Sequence, residues 1–495
     1  MPVEFKNYID GQWCNATNGK RFENRNPANW EEILGTFPDS DSEDIDRAVR
    51  SAAAAYDAWR LMPAPKRGEI IKRAGDLLVK YKEDIAREMT REMGKILLET
   101  RGDVQEGIDT AYYAATEGRR LFGHTAPSEL PDKFNLSIRQ PLGVAGVITP
   151  WNFPMAIPTW KIFPALVCGN TVVFKPAEDT PATAVRFVEI LLEAGLPEKV
   201  IQLVNGYGSS AGMPLVEHPE VKLISFTGST PVGKLISSVA SKDLKRVSLE
   251  LGGKNAQIVM PDADLELALD GVLWGAFGTA GQRCTATSRL ILHEAIHDKF
   301  LPMLIKRAEK LRLGNGLEPA TEVGPVINQK QFDRILSYLK TGKDEGAKLE
   351  TGGERYTDGV CKNGFFIRPT IFSNVDPQMR IAKEEIFGPV LAVIKIKTLD
   401  EAIRALNNTK YGLSSSLYTR DVNAAFKAIR DIEAGITYIN GPTIGAEAHM
   451  PFGGVKETGN GHREGGWPVF EFFTEIKTVF VDYSGKLQRA QIDNQ

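Results

Sequence analysis

Between Ser40 and Gly94, apolar residues recur at three- and four-residue steps, the period of an amphipathic helix. Ile45, Ala48, Val49, Ala52, Tyr56 and Trp59 form one stripe, and Ser40 and Glu43 stand ahead of it at the spacing of a capping box. A second helix is expected after Pro65, through Ile70, Ile71, Ala74, Leu77 and Leu78 towards Gly94. The first third of the chain therefore reads as helical, with these stripes as packing surfaces.

From residue 141 onward the pattern changes. Short β-branched runs alternate with helical segments: GVAGVIT, TVVFKP, VIQLVNG, KLISFTG, RVSLELGG and NAQIVM. Such alternation predicts βαβ units and an α/β fold with a mostly parallel, doubly wound sheet. Ligands in that architecture bind at the carboxyl ends of the strands, which directs attention to the turns WNFP, KPAEDTP, NGYGSS and FTGSTPVG. Another α/β pattern runs from NAQIVM through SRLILHE, FFIRPTIF and GPVLAVIKI to GITYING, with a boundary near LGGK. Two segments outside this order, KFNLSIRQ and EIKTVFVDY, alternate apolar and polar residues. Each reads either as an arm pairing on a neighbouring subunit or as an ordinary edge hairpin.

A chain of 495 residues exceeds what one hydrophobic core usually serves, so two or three domains are expected. Its 60 Lys and Arg nearly cancel its 63 Asp and Glu, and a net charge of −3 offers no attraction for nucleic acid or an anionic membrane. The start, MPVEFKNYIDGQW, carries acids where an export signal needs a basic segment, and even PMAIPTWKIFPALVCG is interrupted by Pro and Lys161. A soluble, cytoplasmic protein is expected. Cys14, Cys168, Cys284 and Cys361 lie far apart with no Cys-x-x-Cys pair, which predicts neither a zinc cage nor a disulfide framework and fits a reducing compartment. His293 and His297 could share a helix face, but no HExxH surrounds them, and no metal site is expected.

Cys284 stands in FGTAGQRCTATSR, whose Gly- and Thr-rich flanks suit an accessible, reactive thiol; a buried structural cysteine is the other reading. Glu250 ends an apolar strand before two glycines, so its carboxylate is expected to emerge at a turn with little side-chain cover. There it could activate a thiol or a water, or serve as a capping or salt-bridged acid. Asn152 follows the strand GVAGVIT, where its amide either forms the turn or donates to a developing oxyanion. One such donor is worth ~3 kcal/mol in a transition state.

PWNFP, KPAE, FTGS, LELGGKN, GQRCTA, EEIFGPV and PFGGVKETG occur in this order, and through them the chain resembles the aldehyde dehydrogenase superfamily over nearly its whole length. The resemblance implies a doubly wound parallel-sheet cofactor domain over residues 1–119 and 141–249 and a second α/β catalytic domain over 250–467. A small β oligomerisation arm and a C-terminal tail would occupy 120–140 and 468–495. Cys284 would attack the aldehyde carbon, while Asn152 and the Cys284 backbone N–H stabilise the oxyanion. Hydride would pass to a nicotinamide dinucleotide to leave a thioester, and Glu250 would activate the water that hydrolyses it. Lys161 matches a family lysine proposed to relay the proton. Branches that hand the acyl group to coenzyme A tend to lack this glutamate, so Glu250 implies hydrolysis. The implied partners are a small-molecule aldehyde and further copies of the chain, as a homodimer or homotetramer, with no nucleic acid and no membrane.

Gly206, Gly208 and Ala211 approximate a G-x-G-x-x-A fingerprint, yet no acid stands about 20 residues on, around Phe226, to hold a ribose. By resemblance FTGSTPVG is the better phosphate site, with Gly228 and Ser229 opening a helix whose free N–H groups favour a pyrophosphate. Thr149, Pro150, Trp151, Gly208 and Phe226 join the expected cofactor contacts. Lys175 and Glu178 would meet the adenosine ribose. A carboxylate accepts hydrogen bonds from ribose hydroxyls and repels a 2′-phosphate, so NAD is expected over NADP, which Lys175 could still tolerate. Glu385 and Phe387 resemble the family segment that holds the nicotinamide ribose and ring; stabilising a turn is their other reading.

Phe153, Trp160, Arg283 and Thr285, with the loop GPTIGAEAHMPF, fall by position on the walls of the aldehyde channel. Arg283 could receive the far carboxylate of a semialdehyde such as 2-oxoglutarate semialdehyde, a branch that GQRCTATSR and GAEAHMPFGG resemble. Alternatively it points into the protein and pairs with an acid. Two competing functions are a structural protein without turnover, which should have lost the nucleophile or base, and a thiol esterase, which would turn over without NAD.

Overall fold

The computed structural model describes residues 2–492; Met1 and the last three residues of the expected C-terminal tail lie outside the described residues. Among them, two seven-stranded sheets dominate. The first runs in the order Arg246–Glu250, Val221–Thr227, Val144–Ile148, Thr171–Lys175 and Ile201–Leu203, all parallel, and is extended by the antiparallel strands Asn7–Ile9 and Gln12–Cys14. Four of its parallel strands are buried along their whole length or all but one residue, which is why they read as unbroken β-branched runs. From Val144–Ile148 the chain builds outward in one direction through residues 171–203, then returns to lay Val221–Thr227 on the opposite side. The strand order thus reverses between two neighbours, and the crevice beyond their carboxyl ends is where such a sheet receives a ligand.

The second sheet has the order Lys348–Thr351, Thr370–Ser373, Val390–Ile396, Thr287–His293, Asn255–Val259, Ser414–Tyr418 and Ile436–Ile439, parallel except at Lys348–Thr351. KFNLSIRQ and EIKTVFVDY pair with each other: Lys133–Pro141 and Thr474–Asp482 run antiparallel from Thr474 opposite Pro141 to Asp482 opposite Lys133. With Thr125–Pro127, which pairs antiparallel with Lys133–Pro141 as a local hairpin, they make a separate three-stranded sheet.

The start of the chain departs from the helical expectation. Val3–Glu4, Asn7–Ile9, Gln12–Cys14, Arg21–Asn26 and Asn29–Pro38 are strands, and helices begin only at Ser42–Leu61, followed by Ala64–Met93 and Leu97–Glu117. Arg21–Asn26 buries Phe22, Asn24 and Asn26 on alternate positions, a period hidden in the sequence because two of the three are polar. Ser40 is not the helix cap. Asp41 holds that position and accepts a hydrogen bond from the Glu43 N–H, while the Ser40 hydroxyl accepts one from Asn7, 2.7 Å away. The second helix ends at Gly94 in a left-handed cap.

Candidate active site

Cys284 lies in the loop between helix Leu265–Phe277 and strand Thr287–His293. Thr279, Ala280 and Gly281 all have positive φ, a strained run that turns the loop sharply ahead of the thiol. Three buried amides hold it. Gln282 accepts from Ile327 N–H and donates to the Thr279 and Pro325 carbonyls. Asn255 donates to the Cys284 carbonyl at 2.7 Å and the Ala286 carbonyl at 2.9 Å, and Asn152 donates to the Gln282 carbonyl at 3.1 Å. Gly253 is required for this approach, since a Cβ there would lie 2.5 Å from the Cys284 carbonyl oxygen. Burial and the carboxyls of Glu250, Glu385 and Glu464 push the Cys284 thiol up to about 12, against an opposing hydrogen bond from the Thr285 N–H. The resting group is therefore a thiol that needs a base.

Glu250 does not emerge from its strand into the open; it is 3% exposed. The segment after Phe452 folds over it, so that Gly459 bridges to Glu250 and a Cβ on Gly453 would fall 2.4 Å from its carboxyl. Neither Glu250 oxygen has a hydrogen-bond partner in the described chain. Burial, and then the neighbouring Glu464 carboxyl, raise its pKa well above the usual carboxylate range, while Lys161 and Arg463 act in the opposite direction. Lys161, also buried, forms an ion pair with Glu464 and donates to Ser225 Oγ at 3.1 Å. Glu464 was not foreseen: more than 300 residues separate it from Lys161, and no local pattern marks it.

Cys284 and Glu250 line one cavity of about 780 Å³, together with Phe153, Trp160, Thr285 and Arg283. Part of the GPTIGAEAHMPF loop, Ile444 to His449, closes another side. Trp160 packs against Phe452 at 4.8 Å between ring centroids, and Thr285 is pinned through its carbonyl by the Thr443 hydroxyl. Arg283 pairs with an acid, as its second reading expected, and also stands in the cavity wall. Its Nη2 donates to Glu99 at 3.0 Å and its Nε to Thr279 Oγ1 at 2.8 Å, with Phe153 and Trp274 on its faces. Nη1 makes no hydrogen bond within the described chain.

Six of the cofactor candidates lie where the strand order reverses. Thr149, Pro150 and Trp151 leave Val144–Ile148, and Phe226, Gly228 and Ser229 end the neighbouring strand. Ser229 precedes helix Thr230–Ala240 without its side chain bonding back, so the first-turn N–H groups remain available to an anion. Lys175, buried, stands 3.3 Å from Glu178, and burial lowers the pKa of its amine. Trp151 meets Phe387 edge to face at 5.4 Å. Glu385 accepts from Gly253 N–H at 2.9 Å, while Arg334 and Gln331 bind the carbonyls of Glu385 and Phe387 and steady their turn. Gly208 opens a short π-helical turn, exposed, at the end of strand Ile201–Leu203. Free N–H groups at a helix start, the Glu178 carboxylate and the paired rings of Trp151 and Phe387 are of the kinds that suit the phosphates, ribose and ring of a nicotinamide dinucleotide.

His293 and His297 do not act together. His293 caps helix Glu294–Ala308 through the Ala295 N–H, and His297 pairs with Asp298. Among the described residues no group of three or more His, Cys, Asp or Glu is arranged to hold a metal, and no helix is long and apolar enough to cross a membrane.

The family model for the aldehyde dehydrogenase family matches residues 13–479. The chain is 44% identical over 477 residues to alpha-ketoglutaric semialdehyde dehydrogenase of Bacillus subtilis (strain 168), covering 96% of this chain and 98% of that protein. It is 43% identical to aldehyde dehydrogenase 1A1 of Mus musculus over 486 residues, covering 97% and 95%. Among solved structures it resembles betaine aldehyde dehydrogenase from Staphylococcus aureus in complex with NAD+, with a TM-score of 0.95, 36% identity, and coverage of 98% and 96%.

Proposed function

Because this chain belongs to the aldehyde dehydrogenase family and oxidises an aldehyde to the carboxylic acid with a nicotinamide dinucleotide, we propose that Cys284 is the nucleophile, Asn152 the oxyanion donor and Glu250 the base. The observation that carries this reading is that Cys284 and Glu250 open onto one cavity, the latter with an unpaired carboxyl. The thiol gives up its proton as its sulfur bonds to the aldehyde carbon, and the ionised form of Glu250, a stronger base than an ordinary carboxylate, is the acceptor. The carbonyl oxygen becomes an alkoxide beside the Asn152 amide and the Cys284 N–H, worth ~3 kcal/mol per donor. When bound, the nicotinamide supplies the hydride acceptor that lets this adduct become a thioester. Lys161 with Glu464 carries the thiol's proton away from Glu250 before hydrolysis begins. Glu250, ionised again, takes a proton from water as the water attacks the thioester, the acid leaves, and the same proton returns to the departing sulfur to restore the thiol.

The cofactor would rest on Thr149, Pro150, Trp151, Lys175, Glu178, Gly208, Phe226, Gly228, Ser229, Glu385 and Phe387. We infer NAD in preference to NADP, since Glu178 would repel a 2′-phosphate and already engages Lys175. We further infer a dicarboxylic semialdehyde as substrate. The uncommitted Nη1 of Arg283 in the cavity wall supports this, as does the name of the Bacillus subtilis relative. Residues 1–119 with 141–249 would form the cofactor domain and 250–467 the catalytic domain. The sheet at 120–140 and 468–495 would join copies of the chain, in the cytoplasm.

Nucleotide reduction measured with 2-oxoglutarate semialdehyde and with pentanal, each with NAD and NADP, tests the set. Cys284→Ser should abolish reduced nucleotide; undiminished formation would overturn the nucleophile. A higher kcat/KM with NADP reverses the cofactor assignment. If Arg283→Leu leaves the semialdehyde-to-pentanal ratio unchanged, the arginine has no part in substrate choice.

A further inference from the structure

Helix Leu97–Glu117 turns one face to the aldehyde cavity, where Glu99, Asp103, Glu106 and Asp109 line the wall at three- and four-residue steps. Three of these carboxyls are engaged. Glu99 accepts from Arg283 and from the Thr279 N–H. Asp103 forms a fully buried ion pair with Lys95 and accepts from the Ala156 N–H at 2.7 Å. Asp109, exposed, accepts from Gln105 at 2.8 Å. Glu106 lies between them; its carbonyl accepts from the Thr110 hydroxyl, but its carboxyl makes no hydrogen bond or ion pair with the described residues, and no catalytic step above uses it.

The charged and titratable groups around Glu106 come from four elements. Asp103 and Asp109 flank it on its own helix, Lys95 faces it from the preceding turn, and Arg283 from the nucleophile loop. Tyr438 on strand Ile436–Ile439 also faces it and lies near Glu447 of the cavity loop as well. Burial above all, and then Asp103 and Asp109, raise the Glu106 carboxyl to about 8, while Lys95 and Arg283 act in the opposite direction. At neutral pH this leaves an O–H donor on the wall that also carries the uncommitted Nη1 of Arg283.

We propose that Glu106 is a specificity-determining residue, donating its carboxylic O–H to the distal carboxylate of a dicarboxylic semialdehyde while Arg283 holds the other oxygen. This rests on the semialdehyde reading above. An O–H donor to a carboxylate makes a short, charge-assisted bond, whereas an ionised Glu106 repels the same group. Uncharged aldehydes make neither contact.

The test compares KM for 2-oxoglutarate semialdehyde and pentanal, from neutral to alkaline pH, in the wild type, Glu106→Gln and Glu106→Leu. In the wild type, KM for the semialdehyde should rise as pH passes through about 8, while KM for pentanal does not follow. Glu106→Gln keeps a donor and should stay near the wild-type KM at neutral pH without the alkaline rise. Glu106→Leu should raise semialdehyde KM roughly ten- to a hundredfold, the worth of a hydrogen bond to a charged group, with no matching rise in pentanal KM. Equal effects on both aldehydes, a Gln variant as impaired as the Leu variant, or a lower semialdehyde KM in Glu106→Leu would overturn the assignment. A wild type that does not favour the semialdehyde over pentanal overturns the dicarboxylic reading itself, and this inference with it. A favoured semialdehyde with an unaffected Leu variant overturns Glu106 alone.

Discussion

Glu250 is buried with two unpaired oxygens, an arrangement that costs a fold about 1–3 kcal/mol for each unsatisfied polar group. Chains keep such a group where its chemistry needs it. Its raised pKa makes it a better proton acceptor, and the same burial strengthens its coupling to Glu464 and through it to Lys161. Substituting Glu250→Gln keeps size and polarity but removes the base. Rapid mixing should then show the first turnover of reduced nucleotide and the steady state both slowed, by about 10²- to 10⁴-fold. A first turnover that survives while the steady state slows would confine the glutamate to hydrolysis of the thioester, and an unchanged steady state would remove it from the mechanism. Gly453 belongs to the same argument, because any side chain there displaces the carboxyl.

At the scale of elements, helices are tied to one another through buried polar groups rather than apolar contact alone. Glu92, near the end of helix Ala64–Met93, accepts from the Ala182 and Thr183 N–H groups and the Thr183 hydroxyl, and so caps helix Pro181–Glu193 from outside. Burial outweighs these hydrogen bonds and raises its carboxyl from 4.5 to about 8. A carboxyl with a raised folded pKa binds its proton more tightly in the folded state. Its contribution to stability is complete below 4.5 and is lost as pH rises towards and through about 8. The Tm of the wild type relative to Glu92→Gln should therefore fall by several degrees across that window. A difference that stays constant with pH would show that Glu92 is already ionised in the fold.

For the whole molecule, the three-stranded sheet stands apart from both large sheets and leaves Phe134, Ile138, Ile476, Phe480 and Val481 exposed. Val481 lies directly opposite Phe134, so these two share a face, and Thr474–Asp482 keeps one edge without a neighbouring strand. Exposed apolar pairs beside an open edge are a surface that association covers. If this sheet joins copies of the chain, as proposed above, replacing Phe134 and Val481 together by Asp should shift the mass to a smaller species in sedimentation equilibrium. An unchanged mass would mean that this sheet does not join copies.

The succession of strands along the chain and the switch in pattern at residue 141 were legible in the sequence, as were Cys284, Glu250, Asn152 and Lys161 as candidates. Buried parallel strands must be apolar throughout, and the turns carrying chemistry interrupt them with Gly, Pro and Asn. Local sequence did not reveal the opening strands, whose buried faces include asparagines, or the pairing of residues 133–141 with 474–482. Nor did it reveal that Glu250 is enclosed, that Arg283 is braced by Glu99, or that Glu464 meets Lys161. Each depends on segments distant along the chain being brought within a few ångströms. Periodicity reports which face of an element is buried, and only packing decides what lies against that face.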